Sequence, residues 1–124
     1  MLENHELTRR VIGLGMEVHS YVGTGLLESV YRECLCLELR RAGLAAESEV
    51  MIPVFYKDTR IPLGFRADIV VENKIIIEIK SVTALLPAHE SQLITYLRMS
   101  GIRIGLLMNF HAPRLKEGLR RFIV

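Results

Sequence analysis

Apolar positions recur along this chain with two different periods, and the switches between them mark out its elements. Val11, Leu14 and Val18 follow Leu7 at spacings of four, three and four, the stripe of an amphipathic helix. Asn4 is placed to cap that helix, which should run to about Tyr21. Gly23-Thr24-Gly25 then breaks the pattern, and two glycines around one residue suit a tight turn. A second helix is expected from about Leu26 to Ala42, closed by Gly43. Its broad apolar face would be Leu27, Val30, Tyr31, Cys34, Leu35 and Leu37.

From Glu47 the period changes to two. Val50, Ile52 and Val54 alternate with other residues in a strand to Tyr56, and Pro53 argues against a central place in a sheet. Lys57 to Arg60 reads as a turn, Ile61 to Val71 as a second strand and Ile75 to Val82 as a third. Residues 87–100 return to helix, with Pro87 suited to the first turn and Gly101 to the end. Ile102 to Phe110 is a fourth strand, with Ile102, Ile104, Leu106, Met108 and Phe110 on one face, and Leu119 to Val124 can add a short last one.

The order α-α-β-β-β-α-β, with that last strand, predicts an α/β fold of the mixed kind: a mixed sheet flanked by helices. The unit from Ile75 to Phe110 should join two parallel strands by a right-handed crossover, and the short connections before it should join antiparallel neighbours. At 124 residues, the chain has the length of one domain, 1–124, with one core.

Composition narrows the function classes. Half of the residues are hydrophobic, yet no stretch approaches the ~18 continuous apolar residues of a membrane span. The polar start MLENHELTRR is unlike a secretory leader, so a cytoplasmic protein without a membrane partner is expected. Cys34 and Cys36, two apart on a helix, cannot bridge each other and should be buried thiols. The net charge of +2 falls short of a dedicated nucleic-acid-binding domain. The pairs Arg9-Arg10, Arg40-Arg41 and Arg120-Arg121 read as solvated surface.

Candidate chemistry gathers in Arg66 to Lys80, RADIVVENKIIIEIK. Glu78 and Lys80, two apart on one strand, share a face. Asp68 joins them only if the hairpin loop is odd, such as Glu72-Asn73-Lys74 pairing Val71 with Ile75; a two-residue loop would send it to the other face. Asn73 tolerates the left-handed conformation that such a loop needs, and the odd loop is expected. Two carboxylates 4 Å apart repel by about 4 kcal/mol at an effective dielectric near 20, so a fold keeps them only with a cation or a proton between them. Mg²⁺ suits one or two carboxylates, and it makes water a stronger acid near a phosphate. Lys80 could orient that water or balance charge on the phosphorus centre. On the residues alone, a catalytic cluster and a half-exposed strand with Ile75, Ile77 and Ile79 inward stand equal. Glu28 reads first as an acid of the first helical turn, favoured by the helix dipole. His89, Gln92 and Tyr96, spaced three and four apart, share a helical face, on which His89 reads first as structural.

With these residues assembled, the chain resembles the GxxExxY proteins, a group related to the PD-(D/E)xK nuclease superfamily. Gly25-Leu26-Leu27-Glu28-Ser29-Val30-Tyr31 matches the group's motif. Arg66-Ala67-Asp68, Glu78-Ile79-Lys80, Gln92 to Leu97 and Gly105 to Phe110 carry the similarity over nearly the whole chain, with Ala67 in place of the superfamily's proline. The resemblance implies a restriction-endonuclease-like core. It implies Asp68, Glu78 and the Ile79 backbone carbonyl as metal ligands, Lys80 as the catalytic lysine and Glu28 as an additional acid able to assist the metal. Gln92 would join the catalytic set, with Tyr31, Tyr96 and His89 lining the substrate. The expected activity is hydrolysis of DNA or RNA phosphodiesters with Mg²⁺, for which Mn²⁺ would substitute. A homodimer would be needed to cut both strands of a duplex. The alternative is a nuclease-like fold that binds nucleic acid or a protein without cutting.

Overall fold

The computed structural model describes residues 4–124. Among them the elements are α1 (His5–Val22), α2 (Glu28–Arg41), β1 (Ala46–Tyr56), β2 (Thr59–Val71), β3 (Ile75–Lys80), α3 (Pro87–Ser100), β4 (Ile104–Asn109) and β5 (Leu119–Ile123). A 3₁₀ turn, Leu115–Gly118, leads into β5. The strands form one sheet in the order β1-β2-β3-β4-β5. β3 and β4 run parallel across the α3 connection, and the other neighbouring pairs are antiparallel. This is the expected mixed α+β arrangement, and the short last strand is present.

Position in the sheet explains composition. β3 and β4 are covered on both faces and so read as nearly unbroken apolar runs. β1, at the edge, tolerates Pro53, whose missing N–H would break a central ladder. On one face, Val11 and Val18 of α1 and Tyr31, Leu35 and Leu39 of α2 pack on Ile69, Ile77, Ile79, Leu106 and Phe110. On the other, Leu93, Tyr96 and Leu97 of α3 pack on Ile52, Ala67, Ile76 and Leu107. A Cβ on Gly105 would stand 2.9 Å from Leu97 and 3.0 Å from Leu93, so glycine lets α3 lie close against β4.

Several local expectations are corrected. Asn4 precedes α1 in a left-handed conformation and makes no side-chain cap; the Thr8 hydroxyl instead donates to the Asn4 carbonyl. On α2, Leu27, Val30 and Leu37 are exposed, whereas Cys36 and Leu39 are buried. The face that meets the sheet is therefore rotated from the one expected. Cys36 is a buried free thiol, while Cys34 is only half-buried. Ile102 lies before β4 and packs with α3, apart from the Ile104, Leu106, Met108 and Phe110 set. The arginine pairs are exposed, as expected, and three of the six also donate to backbone carbonyls: Arg10 to Ala42, Arg40 to Ala46, and Arg120 to Glu117 and Leu119.

Tyr31 fastens the turn between α1 and α2. Its hydroxyl donates to the Gly23 carbonyl at 2.6 Å and accepts the Leu26 N–H at 3.2 Å, while its ring stacks on Phe110 at 4.5 Å. Gly25 supplies the positive φ of 97° that the turn requires. Tyr31→Phe keeps the stacking but leaves both backbone groups without their partner. It should cost about 1–2 kcal/mol, read as a lower urea midpoint with the slope unchanged.

Candidate active site

The β2–β3 hairpin sets the site. Val71 pairs with Ile75, Val70 with Ile76 and Ile69 with Ile77, so the loop Glu72-Asn73-Lys74 has the expected odd length. Glu72 and Asn73 both adopt positive φ, 53° and 54°, and the Lys74 N–H closes the turn on the Val71 carbonyl. In this register Asp68 falls opposite Glu78, on the face of Ile76. There the ladder stops. β2 stays with β1, β3 stays with β4, and the two strands part.

At this fork the acids take over the backbone's hydrogen bonds. Glu78 Oε2 accepts the Asp68 N–H at 2.8 Å, and Asp68 Oδ2 accepts the Ile79 N–H at 2.7 Å. The pair is thus held on one side of the sheet by reciprocal bonds. A strand residue's N–H and C=O point the same way, so the Ile79 carbonyl faces the same fork. Glu78 is buried, and β3 is not the half-exposed strand of the alternative reading. Burial first, and the neighbouring Asp68 second, push its carboxyl up to about 8. Burial also raises Asp68, against the Ile79 hydrogen bond and the positive charges of Arg32 and Lys80. Lys80, half-buried on the same face of β3, counters both acids.

Two neighbouring elements close the surroundings. Glu28, in the first turn of α2, accepts the Ser81 N–H just beyond β3 at 2.9 Å. A cleft of about 460 Å³, lined by Leu26, Leu27, Glu28, Ser29 and Ser81, opens there. Tyr96 of α3 is buried beneath the acids; desolvation, and then the charges of Glu78 and Asp68, raise its phenol. Its ring packs against Phe65 at 4.8 Å.

A sequence model of the PD-(D/E)XK nuclease superfamily matches residues 5–122. The chain belongs to this superfamily. A crystallised protein designated SSO0001 shares the fold, with a TM-score of 0.52 at 20% identity, over 91% of this chain and 65% of its own. This chain therefore spans about two thirds of that protein's length. Among curated proteins no match was found.

Asp68, Glu78 and Lys80 stand in the superfamily's order along the chain, and the fork brings them together. The flanking residues divide. Tyr31 is fully buried with its hydroxyl engaged, so it braces the α1–α2 turn and does not line a substrate surface. His89 Nδ1 accepts the Leu86 N–H at 3.1 Å, which makes it a cap for α3, the structural role. Gln92 is exposed one turn before Tyr96. Glu28 stands at the rim: among the described residues, no three His, Cys, Asp or Glu side chains converge on a common metal position.

Three residues of the surroundings were not singled out by the chain pattern. Arg32 lies one helical turn after Glu28, on the same face of α2, and its charge acts on Asp68. Glu49 reaches Arg32 at 3.7 Å and Arg66 at 3.5 Å from a left-handed backbone, φ 54°, where the β1–β2 pairing skips it opposite Asp68. Asn109, buried at the end of β4, accepts the Val82 N–H at 3.1 Å and donates to the Val82 carbonyl at 2.9 Å. It thereby fixes the segment whose Ser81 holds Glu28. The sequence hints at Arg32 only through its place beside Tyr31, and at the other two not at all.

Proposed function

We propose that this chain is a divalent-metal-dependent nuclease of the GxxExxY type that hydrolyses phosphodiester bonds of DNA or RNA. The carrying observation is the reciprocally bonded Asp68–Glu78 pair at the strand fork, with Lys80 on the same face. The donor set fits Mg²⁺, which binds through one or two carboxylates and takes its other positions from water and substrate. Asp68 and Glu78 each keep an oxygen outside their bond to the backbone, and the Ile79 carbonyl faces the same fork. Mn²⁺ asks for the same hard oxygen donors.

A cation bound there supplies Lewis-acid activation of water and neutralises charge on the phosphate. The protein's own groups do the rest. Asp68 and Glu78 fix the position of that charge through their bonds to the ladder. Lys80 places an ammonium beside the attacked phosphate, where negative charge accumulates. Gln92, exposed on α3, can hydrogen-bond the sugar-phosphate chain, and Tyr96 forms the floor. Glu28 acts from the rim on groups entering between α2 and Ser81.

The test is cleavage of single- and double-stranded DNA and RNA with Mg²⁺ or Mn²⁺. Wild type should cut at least one of them with either ion and stop on chelation, and Asp68→Asn should not cut. Equal cleavage by wild type and Asp68→Asn would overturn the proposal, as would metal binding with no cleavage of any of the four.

A further inference from the structure

The fork that holds the acids also frees a projecting arm. Beyond Asp68, β2 has lost β3 as a neighbour, so residues 59–67 pair only with β1. The result is a two-stranded ribbon. It extends roughly 20 Å from Asp68 to Arg60, at about 3.4 Å for each of the six facing residues of β1. Its root is anchored: Ile52 is buried, and Phe65 packs on Tyr96 of α3. Its outer part has no such cover. Phe55, Tyr56 and Leu63 are all at least half exposed. The pairing slips by two residues between Pro53 and Val54, leaving Pro62 and Leu63 bulged out of β2. A two-stranded hairpin with apolar residues facing water is marginal alone.

Charge favours one occupant. Between Met51 and Arg66 the ionised side chains are Lys57, Asp58, Arg60 and Arg66; Arg66 is paired with Glu49 at the root, which leaves two basic groups against one acidic toward the tip. Lys57 sits over the Tyr56 ring, 5.5 Å from its centroid, at the tip. Two copies of such an arm laid against each other would bring like charges together, whereas a polyphosphate would neutralise them. The major groove of B-form DNA admits a two-stranded β-ribbon; that of A-form RNA is too narrow for side chains to read.

From the root at Asp68, the exposed apolar residues and the basic tip, we infer that the β1–β2 ribbon is a DNA-binding arm that enters the major groove of a duplex beside the cleavage site. The inference rests on the nuclease reading and gives it a substrate class, double-stranded DNA. Lys57 and Arg60 make the phosphate contacts at the far end, while Phe55, Tyr56 and Leu63 pack against sugars and base edges.

The experiment measures binding by fluorescence anisotropy, with protein carrying Asp68→Asn to prevent turnover. The probes are a short DNA duplex, its single strand and the duplex RNA of the same sequence, across about 50 to 200 mM salt. The comparison protein adds Lys57→Asn and Arg60→Gln at exposed positions; asparagine accepts the left-handed backbone of residue 57, φ 56°. Duplex DNA should bind most tightly. The added substitutions should weaken that binding about tenfold to a hundredfold and lower the slope of log K against log salt by about 2, with the circular dichroism spectrum unchanged. Undiminished duplex affinity, in a protein whose unsubstituted form cleaves nucleic acid, overturns the arm and leaves the nuclease reading intact. If the unsubstituted protein neither cleaves nor binds any of the three probes, both fall. A concentration-dependent dimer that the two substitutions dissociate, with duplex affinity unchanged, overturns the arm in favour of a second copy of the chain.

Discussion

Lys80→Met is expected to lower the cleavage rate constant about 10²–10³-fold, the size of loss that follows removal of one preorganised electrostatic group at a transition state. Methionine keeps the length and apolar stem of a half-buried side chain and discards only the ammonium. Lys80 lies on the same face as Glu78 and counters both acids, so its removal bears on two quantities with different signs. The metal loses a competing positive charge, and its affinity should hold or rise, read by isothermal calorimetry. The phosphate loses a compensating charge at the step where it gains negative charge, so the rate constant falls. Lys80→Arg should recover little, because a planar guanidinium does not occupy the position of a compact ammonium. A fall confined to metal affinity, with the rate at saturating metal unchanged, would place Lys80 outside the chemistry.

The second large effect is on stability. Glu78 stands at about 8 in the folded chain against an ordinary 4.5 in the unfolded one. The folded state therefore holds a proton that the unfolded state releases between those values. The stabilisation from that proton is complete below about pH 4.5 and is lost as pH rises through about 8. At about 1.4 kcal/mol per tenfold change in proton affinity, the metal-free protein should lose on the order of a few kcal/mol between pH 5 and pH 8. Asp68, raised as well, acts in the same direction. Urea midpoints measured across that range should fall with rising pH in wild type and stay nearly level in Glu78→Gln, which keeps an acceptor for the Asp68 N–H. Mg²⁺ binds the ionised acids and should restore the loss, by about 2.7 kcal/mol at a hundred times its dissociation constant. A wild-type midpoint that rises with pH in the absence of metal would refute the account.

The hairpin was legible in the sequence because two independent signals agreed there. The acid-and-base face has period two, and the polar loop is odd, so side and register follow from one count. Pro53 likewise pointed to an edge strand. The helical faces were less legible. On α2, apolar residues occur nearly all round, and only the direction from which the sheet approaches decides that Leu39 is covered and Leu27 is not. Asn4 and Tyr31 show the limit from another side: capping and side-chain bonds depend on a few tenths of an ångström, which spacing does not carry. Glu72 adopts a left-handed backbone without any propensity for it, imposed by the register on either side. Glu49 and Asn109 were invisible because each acts through a partner more than 15 positions away, Glu49 on Arg32 and Arg66, Asn109 on Val82.

The bonds between the acids and the strand amides carry one more consequence. The oxygens that zip β2 to β3 at the fork belong to the same carboxylates that would receive the cation. On the proposed nuclease reading, closing the sheet and assembling the metal site are therefore a single event. A chain still emerging or half-collapsed, with β2 and β3 not yet joined, has no pair of acids to offer a cation. The proposed activity would thus be withheld, by the same two side chains that confer it, until the sheet has closed.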